Sequence, residues 1–379
     1  MKQINKKSVY FENLDALRFV AFLAVFIQHI FSVVFYRPES KTASDFIDRF
    51  LMNANEGVNF FFVLSGFLIT YILLKEKEEH TSIRFSQFYW KRSLRIWPLY
   101  FLILFIGFIL VPYFSNYKGS PFTEKNLYVF FLGNFDQLKH GVGNFIVSPL
   151  WSISVEEQFY LLWPLFISII PTKHLLKFFI ALLLFSIWHR IFGHSGKTFQ
   201  LKLSYHTFSC MYSLVIGAIL AHLSSKENFI LKLKNIQKPT IYIIYALGFL
   251  LIFIQKDIVK LEPKGSHYII SLLPIFNALF FAFIIAEQVF SKNSVFKIGK
   301  VPFFSALGKI SYGLYCYHML IIFLVFTALT KLEFNTGLPG TKLFLFEAII
   351  SFSLTIVIAH FSYKYLEAKF LQYKVKFSK

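Results

Sequence analysis

The sequence predicts an all-α polytopic integral membrane protein, a bundle of about ten transmembrane helices, and three observations carry that expectation. Of the residues, 56% are hydrophobic and 16% are charged, where a soluble domain carries about 25% charged residues. Phe alone occurs 51 times in the 379-residue chain and the mean hydropathy is +0.57, so there is too little polar surface to cover the molecule in water. Finally, apolar runs near the 20 residues that a spanning helix needs recur along the chain. Short charged segments that hold many of the Lys and Arg residues, such as MKQINKK, KEKEEH, YWKRSLR and YKVKFSK, fall between them. Helices are expected because an isolated strand cannot satisfy its backbone in hydrocarbon.

The runs place spans at roughly 14–34, 57–74, 97–114, 153–171, 175–192, 206–223, 239–256, 268–290, 310–330 and 344–366. The fourth to sixth are short or interrupted by polar residues. Three lysines precede the first span as in a signal peptide. That stretch, however, holds Arg18, Gln28 and His29 and no small-x-small cleavage site, so a retained first helix is expected. Lys and Arg outside the spans are in excess on the side of the N-terminus, which predicts both termini in the cytoplasm. The longest connection, about 115–152, is expected on the outer face, and residues 1–379 read as a single membrane domain with no internal repeat.

The net charge of +19 comes from basic residues clustered between the apolar runs, so anionic lipid headgroups rather than nucleic acid are the expected partners. Cys210 and Cys316 fall in apolar stretches and give neither a disulfide framework nor a metal spacing. His140, His174, His194, His206 and His267 lie in or near connections without the spacing of a metal site, so no metal is expected. Nothing in the sequence signals an oligomeric state.

Ionisable groups inside a bilayer are costly, which makes each a candidate site residue. LDALRFVAFLAVFIQH in the first span holds Asp15, Arg18 and His29. Asp15 and Arg18 are three apart and share a helix face, so they can pair. His29 lies about three turns, roughly 16 Å, further along the same face. Its unperturbed pKa of about 6.5 makes the proton-accepting form accessible at neutral pH. The residues alone leave two roles for His29 open, proton transfer or packing against a carbonyl.

FYWKRSLRIWPLYF puts Lys91, Arg92 and Arg95 at the expected cytoplasmic entrance to the third span. Arg92 and Arg95 would aim at one target, and paired guanidiniums suit phosphate. The positive-inside rule accounts for arginines here equally. In SPLWSISVEEQFYLLWP, Glu156 and Glu157 diverge by about 100° on a helix, so at most one faces the interior. In GVNFFFVLSGFLI, Ser65 and Gly66 suit close helix packing. ISYGLYCYHM brings Ser311, Tyr312, Tyr315 and His318 to the head of the ninth span, where a tyrosine belt or a bond to a nearby helix is expected. Glu367 is expected in a surface ion pair beside the basic C-terminus.

Taken in order, these segments resemble the acyltransferase-3 family over almost the whole chain. Arg18 and His29 match its opening arginine–x10–histidine motif, and Arg92 and Arg95 match its paired arginines. GVNFFFVLSGFLI, WSISVEEQFYLLWP and ISYGLYCYH resemble its other signatures. The resemblance implies a membrane-bound O-acyltransferase without a fused SGNH domain. It would take an acyl group, usually acetyl, from cytoplasmic acetyl-CoA and place it on a hydroxyl of a cell-envelope saccharide or lipid-linked glycan. On that reading His29 is the general base, with Arg18, Asp15 and one of Glu156 and Glu157 supporting it. Arg92 and Arg95 hold the coenzyme A phosphates, and Tyr312 and His318 touch the substrate. The setting would be a bacterial cytoplasmic (inner) membrane. A transporter or flippase of lipid-linked saccharide also expects intramembrane charges, although it commonly shows a repeat between chain halves, and an acyl-binding sensor without turnover is the third class.

Overall fold

In the computed structural model the described residues are 11–35, 56–80, 82–193, 199–263, 266–294, 296–336 and 340–376, and among them every regular element is helical. The long helices are α1 (Glu12–Phe35), α2 (Glu56–His80), α3 (Phe85–Phe105), α4 (Leu150–Ile169), α5 (Thr172–Phe192), α6 (Thr207–Leu223), α7 (Lys238–Lys260), α8 (Tyr268–Phe290), α9 (Ser311–Thr336) and α10 (Gly340–Ser362). A π-turn at Ile106–Leu110 carries α3 on to Val111–Phe114, and another at Tyr363–Glu367 carries α10 on to Ala368–Lys376. The basic residues near the N-terminus, Lys379 and His194 lie outside the described residues.

Nine of these helices, all but α4, contain a stretch long and apolar enough to cross a membrane. With 20 residues, α4 has the length for about 30 Å of hydrocarbon, but Glu156, Glu157 and Gln158 interrupt it. It is registered along α2 by side-chain bonds at three levels. Ser65 Oγ bonds to Tyr160 OH, and Trp163 Nε1 donates to Thr70 Oγ1 at 2.8 Å. Lys77 Nζ donates to the carbonyls of Ile167 and Ile170 at 2.6 and 2.8 Å. Those last carbonyls have no intrahelical partner, so a lysine from the neighbouring helix caps the end of α4. The polar centre of α4 is therefore held within the bundle beside α2.

The centre of the bundle is α2, with 72% of its apolar window buried, whereas α7 is peripheral at 6%. The crossing of α2 and α6 depends on two glycines. A Cβ on Gly66 would lie 1.9 Å from Leu214 O, and one on Gly217 would lie 2.0 Å from Val63 O. In lipid, where apolar burial does not drive helices together, such close backbone approach is the main source of attraction. Gly217→Ala is accordingly expected to cost about 1–3 kcal/mol through overpacking, read as a lower melting temperature of the purified protein. An unchanged melting temperature would show that the crossing adjusts freely.

The start of α1 is anchored by backbone and amide contacts. Asn13 Nδ2 donates to Gln288 O at 2.7 Å, and Asn13 Oδ1 accepts from Gly299 N at 3.0 Å. The short helix Pro302–Lys309 presses Gly308 against the Asp15 carbonyl, with room for no side chain between them. The segment between α3 and α4 carries the short helices Lys125–Val129 and Gly133–His140. Lys139 and His140 bond to Glu124 there and hold its carboxyl below its usual pKa. Asn144 Nδ2 donates to Gly107 O, within the π-turn of α3, at 3.1 Å.

Two expectations about element boundaries change. The helix of the third span begins at Phe85 rather than near residue 97, so Arg92 and Arg95 lie about two to three turns inside it. Arg92 is partly buried there and Arg95 is exposed, and a hydropathy count that avoids charge starts the helix too late. Glu367 is not on the surface. It is buried at 7% exposure in the π-turn of α10, where Ser362 Oγ donates to its Oε1 at 3.3 Å.

Candidate active site

Five helices, α1, α2, α3, α4 and α9, enclose a cavity of about 130 Å³ lined by Arg18, Arg92, Arg95 and Glu156 together with Ser65, Tyr160, Tyr312 and Tyr315. Arg18 is ion-paired to Asp15 one turn earlier on α1, and Asp15 is buried at 6% exposure. The pair thus fixes the Arg18 side chain from within its own helix. The Arg92 guanidinium lies 5.7 Å from the Tyr160 ring centroid and 5.8 Å from that of Phe88. Aromatic faces attract a cation in this arrangement. Arg95 is exposed and stands at the mouth of the cavity.

The acidic side is built from α4. Tyr160 OH donates to Glu156 Oε2 at 2.8 Å and also bonds to Ser65 Oγ, making a chain from α2 through α4. Glu157 turns away from the cavity, and its Oε2 accepts from Trp97 Nε1 at 2.9 Å. The divergence of adjacent helical residues therefore separates the two glutamates. Three guanidiniums against one lining carboxylate make this an anion-attracting cavity, and the arginine forks suit phosphate or carboxylate. Its size suits one end of a ligand, since pockets that enclose whole drug-sized molecules span about 300–1,000 Å³.

His29 does not line this cavity. It lies further along α1, where its Nδ1 is 2.9 Å from His318 Nε2 on α9. His318 is fully buried, and its Nδ1 bonds to the Tyr315 carbonyl at 2.5 Å. Tyr315 links the two places. Its ring lines the cavity, and its hydroxyl bonds to Ser152 Oγ at 2.7 Å and donates to Pro149 O at 3.1 Å.

Of the residues singled out from the sequence, Arg18, Arg92, Arg95, Glu156 and Tyr312 come together at the cavity and Asp15 supports it. His29 and His318 come together as a separate pair. Tyr312 OH donates to Ile96 O at 2.7 Å, tying α9 to α3. Sequence reasoning missed Tyr160, whose signal was available as a hydroxyl four residues after Glu156. His140 bonds to Glu124, His206 caps α6, His267 stacks on Phe199 and His174 is exposed, so these histidines are spread over the molecule. Cys210 and Cys316 are buried free thiols.

The sequence model of a family described as an acyltransferase domain matches residues 11–363. A Staphylococcus aureus (strain COL) protein provisionally named an O-acetyltransferase is 27% identical over 98% of this chain and 59% of its own length. The peptidoglycan O-acetyltransferase OatA of Listeria monocytogenes is 28% identical over 94% of this chain and 55% of its own. The O-acetyltransferase OatA of Staphylococcus aureus (strain NCTC 8325) is 27% identical, with 94% and 57% covered. The chain thus spans somewhat over half the length of these relatives. No solved structure matches it.

Proposed function

The chain belongs to the acyltransferase-3 family, and from that premise we propose that it is a membrane O-acyltransferase moving an acetyl group from cytoplasmic acetyl-CoA to a hydroxyl of a cell-envelope saccharide. The observation that carries this reading is the convergence of Arg18, Arg92 and Arg95 on a cavity beside the histidine-bearing α1. Phosphates of the donor would be held by Arg92 and Arg95, with Arg18 kept in place by Asp15. The thioester arm would extend along α1 past Tyr315 toward His29. There His29 takes the proton of the acceptor hydroxyl, the oxygen attacks the thioester carbonyl, the carbon–sulfur bond breaks, and coenzyme A leaves as the thiol after protonation. Glu156, paired with Tyr160, would serve the cavity by balancing its positive charge.

The saccharide class is supported by the relatives, one of which is named for peptidoglycan. A single multi-pass unit in a bacterial cytoplasmic membrane, with both termini inside, is supported by the Lys and Arg excess on that side. The test is transfer from labelled acetyl-CoA to a panel of envelope glycans by the purified protein in proteoliposomes. Label on a glycan hydroxyl is the expected result. Movement of a lipid-linked saccharide across the bilayer with no donor present, and no label transferred, would replace this reading with a flippase.

A further inference from the structure

We infer that His318 is a positioning residue that fixes the tautomer of His29, leaving Nε2 of His29 as its proton-accepting atom. The inference rests on the reading of His29 as the base, and replaces the substrate contact expected of His318 from the sequence.

The hydrogen-bond chain has only one consistent direction when both rings are neutral. Its far end is a backbone carbonyl, Tyr315 O, 2.5 Å from His318 Nδ1. A carbonyl can only accept, so the proton of His318 is on Nδ1. A neutral imidazole carries one N–H, so His318 Nε2 is a bare acceptor. It faces His29 Nδ1 at 2.9 Å, and that nitrogen must then donate. The proton of neutral His29 is therefore on Nδ1, and its Nε2 is the free base. Among the described residues no hydrogen bond to His29 Nε2 occurs, so that atom is left for an acceptor hydroxyl.

Ring geometry agrees with this direction. The two imidazole centroids are 5.0 Å apart with planes 28° from parallel. With nitrogens 2.9 Å apart, that is an edge-to-edge arrangement, in which the lone pair of one ring points at the N–H of the other. His318 is 0% exposed, with Phe22 edge-on at 5.9 Å and the Tyr315 ring at 5.5 Å. No carboxylate bonds to it among the described residues, and a buried cation without a partner is costly. The neutral form is thus the one the site favours, and the carbonyl at its back sets which nitrogen is protonated. Orientation of a histidine through the bond made by its other nitrogen is a general device.

Two readouts test it on the full chain. Histidine-labelled wild-type protein, with the His29 signal identified by its loss in His29→Gln, is expected to show nitrogen-15 shifts of an Nδ1-protonated ring. Proton on Nε2 would overturn the inference whatever the activity. In the transfer assay, His318→Phe keeps the volume and removes the acceptor. Its kcat is expected to fall at least about 10-fold, by analogy with the roughly 10–100-fold cost of losing an outer partner that orients a metal-bound histidine. The donor KM should stay within about twofold, because the arginine cavity is untouched. His318→Gln, whose amide oxygen can accept from His29 Nδ1, should recover most of that loss. Wild-type kcat in His318→Phe, with His29→Ala inactive, would overturn only the positioning role. Undiminished transfer in His29→Ala would instead remove the base assignment on which it rests. Should His318→Phe fail to fold, the wild-type spectrum and the glutamine variant still decide the matter.

Discussion

Replacing His29 with alanine is expected to reduce acetyl transfer by about 10²–10⁴-fold, the contribution of a positioned general base. The fall should appear in kcat, with donor KM nearly unchanged, because His29 lies about three helical turns from Arg18 and does not line the cavity assigned to the donor phosphates. Truncating a half-buried side chain at this position removes one bond to His318, so the variant should express and purify like the wild type. Matched protein levels with labelled acetyl-CoA and glycan acceptors give the comparison. Equal transfer by both proteins would take the base away from α1 and move attention to Glu156, the other proton-accepting side chain in the cluster.

The second large effect is expected on donor binding. Arg92→Ala combined with Arg95→Ala removes two of the three guanidiniums at the cavity. A hydrogen bond to a charged group contributes about 1.5–3 kcal/mol, so losing two should weaken acetyl-CoA binding by about 10²–10⁴-fold at 1.4 kcal/mol per tenfold. Turnover of bound donor should change much less, since these residues act on the phosphates and not on the reacting carbonyl. Arg92→Lys is expected to restore little, because an ammonium cannot reproduce the planar fork or its packing on Tyr160. Lys91→Ala, on the same helix but outside the cavity lining, is the control for general loss of positive charge. An unchanged apparent affinity in the double variant would show that the arginines serve topology only.

Local spacing carried much of the cluster but not its assembly. The three-residue separation of Asp15 and Arg18 set their ion pair, and the angle between adjacent helical residues sent Glu156 to the cavity and Glu157 to Trp97. The same spacing said nothing about His318, which is 289 residues from its partner His29. Nor did it bring Ser65 to Tyr160, 95 residues away. Glu367 went astray for a related reason. Its neighbours in sequence are basic and amphipathic, but the π-turn of α10 rotates the carboxyl inward. A π-turn inserts a residue into the helical register, and a constant 3.6-residue period cannot anticipate that shift.

By itself the sequence determined that this is a polytopic helical membrane protein and which of its residues are expensive to hold in hydrocarbon. Chain composition and run length suffice for that, because a bilayer demands about 20 apolar residues per crossing and penalises every charge. Which helix faces which was left to the tertiary structure. In water an apolar stripe marks the buried face of a helix, but in lipid both faces are apolar. Phe62 is buried at 3% exposure and Phe276 is exposed at 57%, and nothing in the two residues distinguishes them. Only the packed bundle, through close crossings such as Gly66 on Leu214 and bonds such as His29 to His318, decided which polar groups meet.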